Sequence, residues 1–254
     1  MELFDSHAHY NDEKFEEDRE NTIKEIHNSG VTKIINAGYS LESSKKAIEI
    51  AKNYEFMYAT VGVSPNDIEN LNTDYLEQIE KMAQDKKVVA IGEIGLDYYW
   101  NKENKEKQKE IFIKQIELAN TLNLPIVIHT REAVMDTIEI LKNNPVNKKG
   151  IFHCCPMNVE LIKEAVKLGF YISFSGNITF KNAKNAEECV KMVPINRILI
   201  ETDSPYLSPE PNRGKRNDSR NVKFVAQKIA EIKQLTLDEI AKITYENAMR
   251  IFEI

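Results

Sequence analysis

The sequence predicts an eight-stranded α/β barrel of the TIM type, (β/α)8, on three observations. Short β-branched apolar runs recur along the chain, each followed by a polar loop and then a stretch with helical spacing. No low-complexity segment, Pro/Gly/Ser-rich linker or break in composition divides the 254 residues, so residues 1–254 are expected to form one unit, a usual size for such barrels. Four of the five histidines fall at the C-terminal ends of the apolar runs, the end where such barrels carry their functional groups.

The runs, in order, are Glu2–Ala8, Lys33–Gly38, Met57–Val63, Val88–Ile94, Pro125–Thr130, Gly150–Cys154, Tyr171–Ser175 and Ile198–Asp203. Each is near-continuously apolar, as a strand buried on both faces must be. Helical stretches are read at Phe15–Asn28, Leu41–Asn53, Asp74–Asp85, Lys107–Leu122, Glu132–Lys142 and Val159–Leu168. In Lys107–Leu122, for example, Ile111, Gln115, Leu118 and Leu122 lie roughly along one face. A closing helical pair is read at Val222–Lys233 and Leu237–Phe252, and none is assigned between the seventh and eighth runs. Strands alternating with helices imply a parallel sheet, and eight such units close a barrel more naturally than an open sheet.

Composition narrows the class. Hydrophobic content of 42% and charged content of 29% are ordinary for a soluble globular chain, and no apolar run approaches the roughly 20 residues that span a bilayer. The N-terminal residues show no signal-peptide pattern, so a cytoplasmic protein with no membrane partner is expected. Three cysteines, two of them adjacent (Cys154 and Cys155), fit reduced thiols rather than a disulfide framework. A net charge of −6 provides no global basic footprint, so a polyanionic substrate would need bound cations to neutralise it.

The chemistry-bearing residues are His7 and His9 after the first run, Glu93 in the fourth, His129 in the fifth, His153 in the sixth and Asp203 at the end of the eighth. Residues two apart on a strand point the same way, so His7 and His9 can bind one ion. A closed barrel brings the other donors around the same axis, giving a metal site at the C-terminal face of the strands. Imidazoles mixed with carboxylates suit zinc, manganese or magnesium. Six donors exceed what one tetrahedral ion needs, so two divalent ions bridged by Glu93 are expected. His7, His9 and Asp203 would hold the first, and His129 and His153 the second, with Asp203 also taking the proton of an attacking water. Asp5 shares the sequence parity of His7, and Glu201 that of Asp203. Either carboxylate could orient the ligands, or both could belong to a structural network at the barrel floor.

The chain resembles the TatD-type metal-dependent deoxyribonucleases of the amidohydrolase-like barrels. The resemblance rests on Asp5-Ser6-His7-Ala8-His9, Gly92-Glu93-Ile94-Gly95-Leu96-Asp97-Tyr98-Tyr99, Pro125–Arg131, Ser173–Gly176, Glu201–Leu207, Arg213–Asn217 and Asn247-Ala248 with Phe252. It implies metal ligation by His7, His9, Glu93, His129, His153 and Asp203. It also implies hydrolysis of phosphodiester bonds in DNA, as a 3′ exonuclease preferring single strands. DNA, through single-stranded ends, is then the expected partner, and a monomer the expected state. Arg131 could hold a phosphate or form a structural salt bridge, and Arg213 could contact the backbone or belong to a solvated loop.

Two departures stand out. Where the family carries histidine before proline after the third strand, this chain has Ser64-Pro65, and serine cannot donate a proton comparably near pH 7. After His153 it reads Cys154-Cys155-Pro156, and by alternation Cys155 could face the metals. Two alternatives remain: hydrolysis of another ester or amide, such as deacylation of misacylated transfer RNA, and a non-catalytic nucleic-acid-binding protein.

Overall fold

A computed structural model describes residues 1–254. The elements run β1 (Leu3–Ala8), α1 (Arg19–Asn28), β2 (Val31–Ala37), α2 (Leu41–Lys52), β3 (Met57–Val61), α3 (Tyr75–Ala83), β4 (Val88–Asp97) and α4 (Lys105–Leu122). They continue with β5 (Ile126–Arg131), α5 (Val134–Asn143), β6 (Gly150–Phe152), α6 (Val159–Lys167), β7 (Tyr171–Phe174), α7 (Ala186–Met192), β8 (Ile198–Ile200), α8 (Val222–Lys233) and α9 (Leu237–Phe252). The eight strands pair in parallel in the order β1-β2-β3-β4-β5-β6-β7-β8. This is the predicted barrel.

The seven-residue α7 is the helix that the sequence pattern did not mark. The strand ends shift too: β4 continues through Asp97, whereas β6 stops at Phe152 and β8 at Ile200.

Inside the barrel, Phe4, Ile35, Val127, Ile151, Tyr171 and Leu199 pack together with Ala248, Ile251 and Phe252 of α9. Side chains from strands all around the sheet thus meet one helix, which closes the N-terminal mouth. Asn247 pins that helix by donating to the Ile195 and Ile198 carbonyls at 3.0 and 2.9 Å, just ahead of and at the start of β8. A larger apolar layer lies between the strands and the outer helices. With the N-terminal end filled, the opposite mouth is the face left open to substrate.

The barrel closes between β8 and β1 only near their C-terminal ends. Asp203 N–H donates to the His7 carbonyl at 2.9 Å and His9 N–H to the Ser204 carbonyl at 2.7 Å. Deeper in the seam, side chains replace the ladder. The Asp5 carboxylate accepts from Thr202 N–H at 2.9 Å and from the Thr202 and Ser219 hydroxyls at 2.5 Å each, while Ser6 Oγ donates to the Ile200 carbonyl. The sheet register slips between Asp5 and Ala8, where three steps of β1 match two of β2. Such a bulge rotates the strand.

Asp5 therefore does not lie beneath His7 inside the barrel, as simple alternation suggested. Phe4 and Ser6 face the interior, and Asp5 faces the seam. There it holds the backbone of His7 (N–H at 3.4 Å) and of Thr202. Burial of this carboxyl outweighs its hydroxyl and amide donors and pushes its pKa up to about 7.

Candidate metal centre

On β5 and β6 the alternation that points Val127 and Ile151 inward carries His129 and His153 to the open mouth. On β1 the bulge turns His7 and His9 there. Glu93 arrives from β4, its N–H tied to the Gly38 carbonyl at 2.7 Å, with β4 again out of register between Ile91 and Ile94. Two residues on, Gly95 has φ +140°, and a Cβ there would stand 2.0 Å from the His129 carbonyl oxygen, so only glycine lets β4 run this close to His129. Asp203 follows β8 at φ +55°, a left-handed conformation that ends strand alternation and swings the carboxylate over the mouth.

The six predicted donors do converge. His7 Nε2 lies 3.1 Å from His9 Nε2, 3.5 Å from Glu93 Oε2 and 3.7 Å from Asp203 Oδ1, and His9 Nε2 is 3.3 Å from the same Asp203 oxygen. The other Glu93 oxygen, Oε1, is 3.0 Å from His129 Nδ1 and 3.2 Å from His153 Nε2, which are themselves 3.2 Å apart. Donor atoms about 2.1 Å from a common ion stand roughly 3.0–3.4 Å from one another. These separations fit that spacing. The fifth histidine, His27, is exposed and stacks on Phe56, away from the mouth.

The nitrogens facing away from the cluster test whether the rings are set as ligands. His9 Nδ1 donates to the Ala37 carbonyl at 3.0 Å and His129 Nε2 to Asp97 Oδ2 at 3.0 Å, leaving His9 Nε2 and His129 Nδ1 with lone pairs toward the centre. His153 Nδ1 lies 3.6 Å from Glu201 Oε1. Glu201 is thus placed behind a putting-forward imidazole, and its Oε1 also accepts Cys154 N–H at 2.5 Å. His7 Nδ1 is buried without a partner, its ring stacked on His153 at 4.0 Å.

The field is built for positive charge. Burial works against the Glu93 carboxylate, but the surrounding imidazoles, His153 foremost, more than offset it and hold the group well below its ordinary range. Burial is likewise overcome at Asp203, lowered chiefly by His9, and at Asp97, lowered to about 2 chiefly by His129. His153 goes the other way: despite burial, Glu93 and Glu201 raise it well above a normal histidine. Four imidazoles ringed by Glu93, Asp203, Asp97 and Glu201 form a donor set that suits divalent cations.

A family model for TatD-related DNases matches residues 4–253. The chain belongs to the TatD-related DNase family. It is 46% identical over 253 residues to the metal-dependent hydrolase YabD of Bacillus subtilis (strain 168), itself uncharacterized, with 99% of each chain covered. A second such hydrolase, YcfH of Escherichia coli (strain K12), is 43% identical over 187 residues, 73% of this chain and 71% of that one. Among solved structures, the TatD homologue YJJV of Escherichia coli K12 superposes with a TM-score of 0.94 at 28% identity, covering 99% of this chain and 98% of that one. This TatD-family chain thus has its relatives' metal-dependent hydrolase fold and a His/Glu/Asp cluster able to bind metal. No helix in it is long and apolar enough to cross a membrane.

The remaining predicted site residues are placed less uniformly. Ser64 lines the same cleft, of about 720 Å³, and its hydroxyl donates to Asp67 at 2.7 Å. Arg131 stands at the rim, stacked on Tyr99 and outside any ion pair, so the salt-bridge alternative is not realised. Arg213 does not line the cleft: it covers Phe180 at 3.8 Å and donates to the Ser208 carbonyl. Its neighbour Arg216 is engaged with Asp18. Cys155 does not face the centre either. With β6 ending at Phe152 and Cys154 at φ +39°, Cys154 lines the cleft and Cys155 drops into the apolar core.

Two residues of the site escaped the sequence reading. Asn217, last of the Arg213–Asn217 segment, is buried and donates to the Thr202 and Tyr206 carbonyls at 2.9 and 2.6 Å, clamping the turn that carries Asp203. Asp97 orients His129 and could have been found from its even spacing with Glu93 had β4 been drawn to its full length. Asp97→Asn can turn its amide group toward His129 and lose the negative charge that fixes the ring. We expect it to weaken metal binding about 10–100-fold, read by competition with a chromogenic chelator. Unchanged affinity would mean that His129 is not held through Asp97.

Proposed function

We propose that this TatD-family chain hydrolyses phosphodiester bonds of DNA, acting as a 3′ exonuclease on single-stranded ends with two divalent ions. The observation that carries the proposal is the division of labour within Glu93. One oxygen faces His7 and His9, the other faces His129 and His153, which is the posture of a bridging carboxylate. His7, His9 and Asp203 would hold the first ion, and His129 and His153 the second.

Divalent ions held there supply Lewis acidity toward water and phosphoryl oxygens. The chain's own residues do the rest. Asp203, held in its charged form and partly exposed in the cleft, takes the proton of the attacking water. Arg131, with its guanidinium free of ion pairs, offers a bidentate grip on a phosphate. Asp5 and Glu201 hold the backbone and ring of the ligands from behind.

The test uses protein purified without a histidine tag, analysed for metal content and then assayed on 3′- and 5′-labelled single strands beside a panel of simple esters, dipeptides and misacylated transfer RNA. Mononucleotides released from the 3′ end, abolished by chelator and restored by added zinc, manganese or magnesium, are the expected result. Turnover of only the ester, amide or transfer-RNA substrates would replace the phosphodiester reading with the other hydrolytic one.

A further inference from the structure

Beside Arg131 at the rim of the metal cleft stand two aromatic side chains that the hydrolytic chemistry does not use. Trp100, the chain's single tryptophan, is 66% exposed, and Tyr99 is 44% exposed. Adjacent exposed aromatic rings make a contiguous apolar patch, the kind of surface that marks interaction sites. The two rings meet edge to face at 4.7 Å, and the Arg131 guanidinium lies 3.9 Å from the Tyr99 centroid and 5.6 Å from that of Trp100. Trp100 and Arg131 line the same cleft as Glu93, His129 and Asp203.

The group is anchored to the metal centre through one carboxylate. Asp97 Oδ1 accepts the backbone N–H groups of Tyr99 at 2.9 Å and Trp100 at 3.0 Å, while Oδ2 accepts from His129. Arg131 is two residues beyond His129 on β5, and its backbone pairs with Asp97. The turn that carries Tyr99 and Trp100 is therefore pinned to the end of β4 and, through it, to the donor cluster.

We propose that Tyr99, Trp100 and Arg131 form a stacking subsite for one unpaired nucleobase, with Arg131 holding the adjoining phosphate. The proposal rests on the phosphodiester reading above and adds to it the part of the substrate that is recognised. A planar face beside a cation is the arrangement that single-stranded nucleic acids find on proteins: every base has a π-face, so the contact is tolerant of sequence. In a duplex every base but the terminal one has both faces covered by its neighbours, so a base further in cannot lie on Trp100 without unstacking. The subsite thus supplies a selection for frayed or single-stranded ends without any hydrogen-bond readout.

The test compares oligothymidylate with an abasic oligonucleotide of the same length and linkages, using metal-loaded protein. Native protein is expected to prefer the base-bearing substrate in kcat/KM, and Trp100→Ala to reduce that preference about tenfold or more, mostly through KM. Trp100→Phe should recover much of it. Because Trp100 is the only tryptophan, its fluorescence in the first milliseconds after rapid mixing should be quenched by oligothymidylate and little affected by the abasic strand. Cleavage of both substrates with the preference unaltered in Trp100→Ala would overturn the subsite and leave the hydrolytic reading standing. Cleavage of neither by the native protein would remove that reading and the subsite with it.

Discussion

Replacing Glu93 by alanine is expected to cost the protein at least one of the two metal ions proposed for it and to lower hydrolysis by more than about 10³-fold. Four imidazole nitrogens, two from each half of the donor cluster, lie within 3.7 Å of one or the other Glu93 oxygen. The alanine variant leaves His129 and His153 with no carboxylate between them and the first half. The second half, which has fewer donors of its own, loses its ion first. Glu93→Gln separates charge from shape. It retains one carbonyl oxygen for one half of the cluster and presents an amide group, which cannot ligate, to the other, so about one ion per chain is expected. Elemental analysis after desalting, paired with the nuclease assay, gives both readouts, and circular dichroism establishes that the barrel persists. Two ions and full turnover in either variant would mean that the donors have been assigned to the wrong centre.

The second large effect is expected at a residue that offers the centre no donor atom of its own. Asn217→Ala removes a fully buried amide that donates to two carbonyls, those of Thr202 and Tyr206, and accepts from Asn221 at 2.8 Å. Its loss deprives the Thr202 and Tyr206 carbonyls and the Asn221 amide of this partner, and the cost is about 3–5 kcal/mol after partial relaxation. For a chain of this length that lowers the melting temperature by roughly 10 °C. The same bonds keep Asp203 at its left-handed φ, so the stabilisation conferred by added metal should shrink as well. Calorimetry with and without chelator measures both quantities. An unchanged melting temperature would contradict the clamp, and a lower one with the metal-induced increment intact would confine Asn217 to stability alone.

These two residues also mark how far the sequence could be read. Glu93 lies within a strand of ordinary composition, and together with the histidines it was legible because strand periodicity and barrel closure are strong constraints. The barrel itself followed from eight buried-strand runs, and the final helical pair was read to the residue. What periodicity could not supply lies where strands stop behaving as strands. The β1 bulge turned Asp5 toward the seam, the φ of +39° at Cys154 exchanged the expected places of Cys154 and Cys155, and the length of β4 past Ile94 hid Asp97. The short α7 has too few turns to print a repeat. Asn217 had no local signal: its partners are nearby in sequence, but their need for a donor arises only when the turn at Asp203 closes onto β1. Arg213, chosen for its charge in a basic segment, sits on Phe180 instead, since an exposed guanidinium gains more from covering an aromatic ring than sequence alone reveals.

The closure of β8 onto β1 has a consequence for the order of events during synthesis. His7 and His9 leave the ribosome long before Asp203 and Ser204, yet their backbone is fixed by bonds to those late residues, which Asn217 and Ser219 brace in turn through Thr202 and Asp5. A nascent polypeptide lacking residues 200–221 has most of its ligands and no working centre, so hydrolytic competence comes on in one step when the last strand docks.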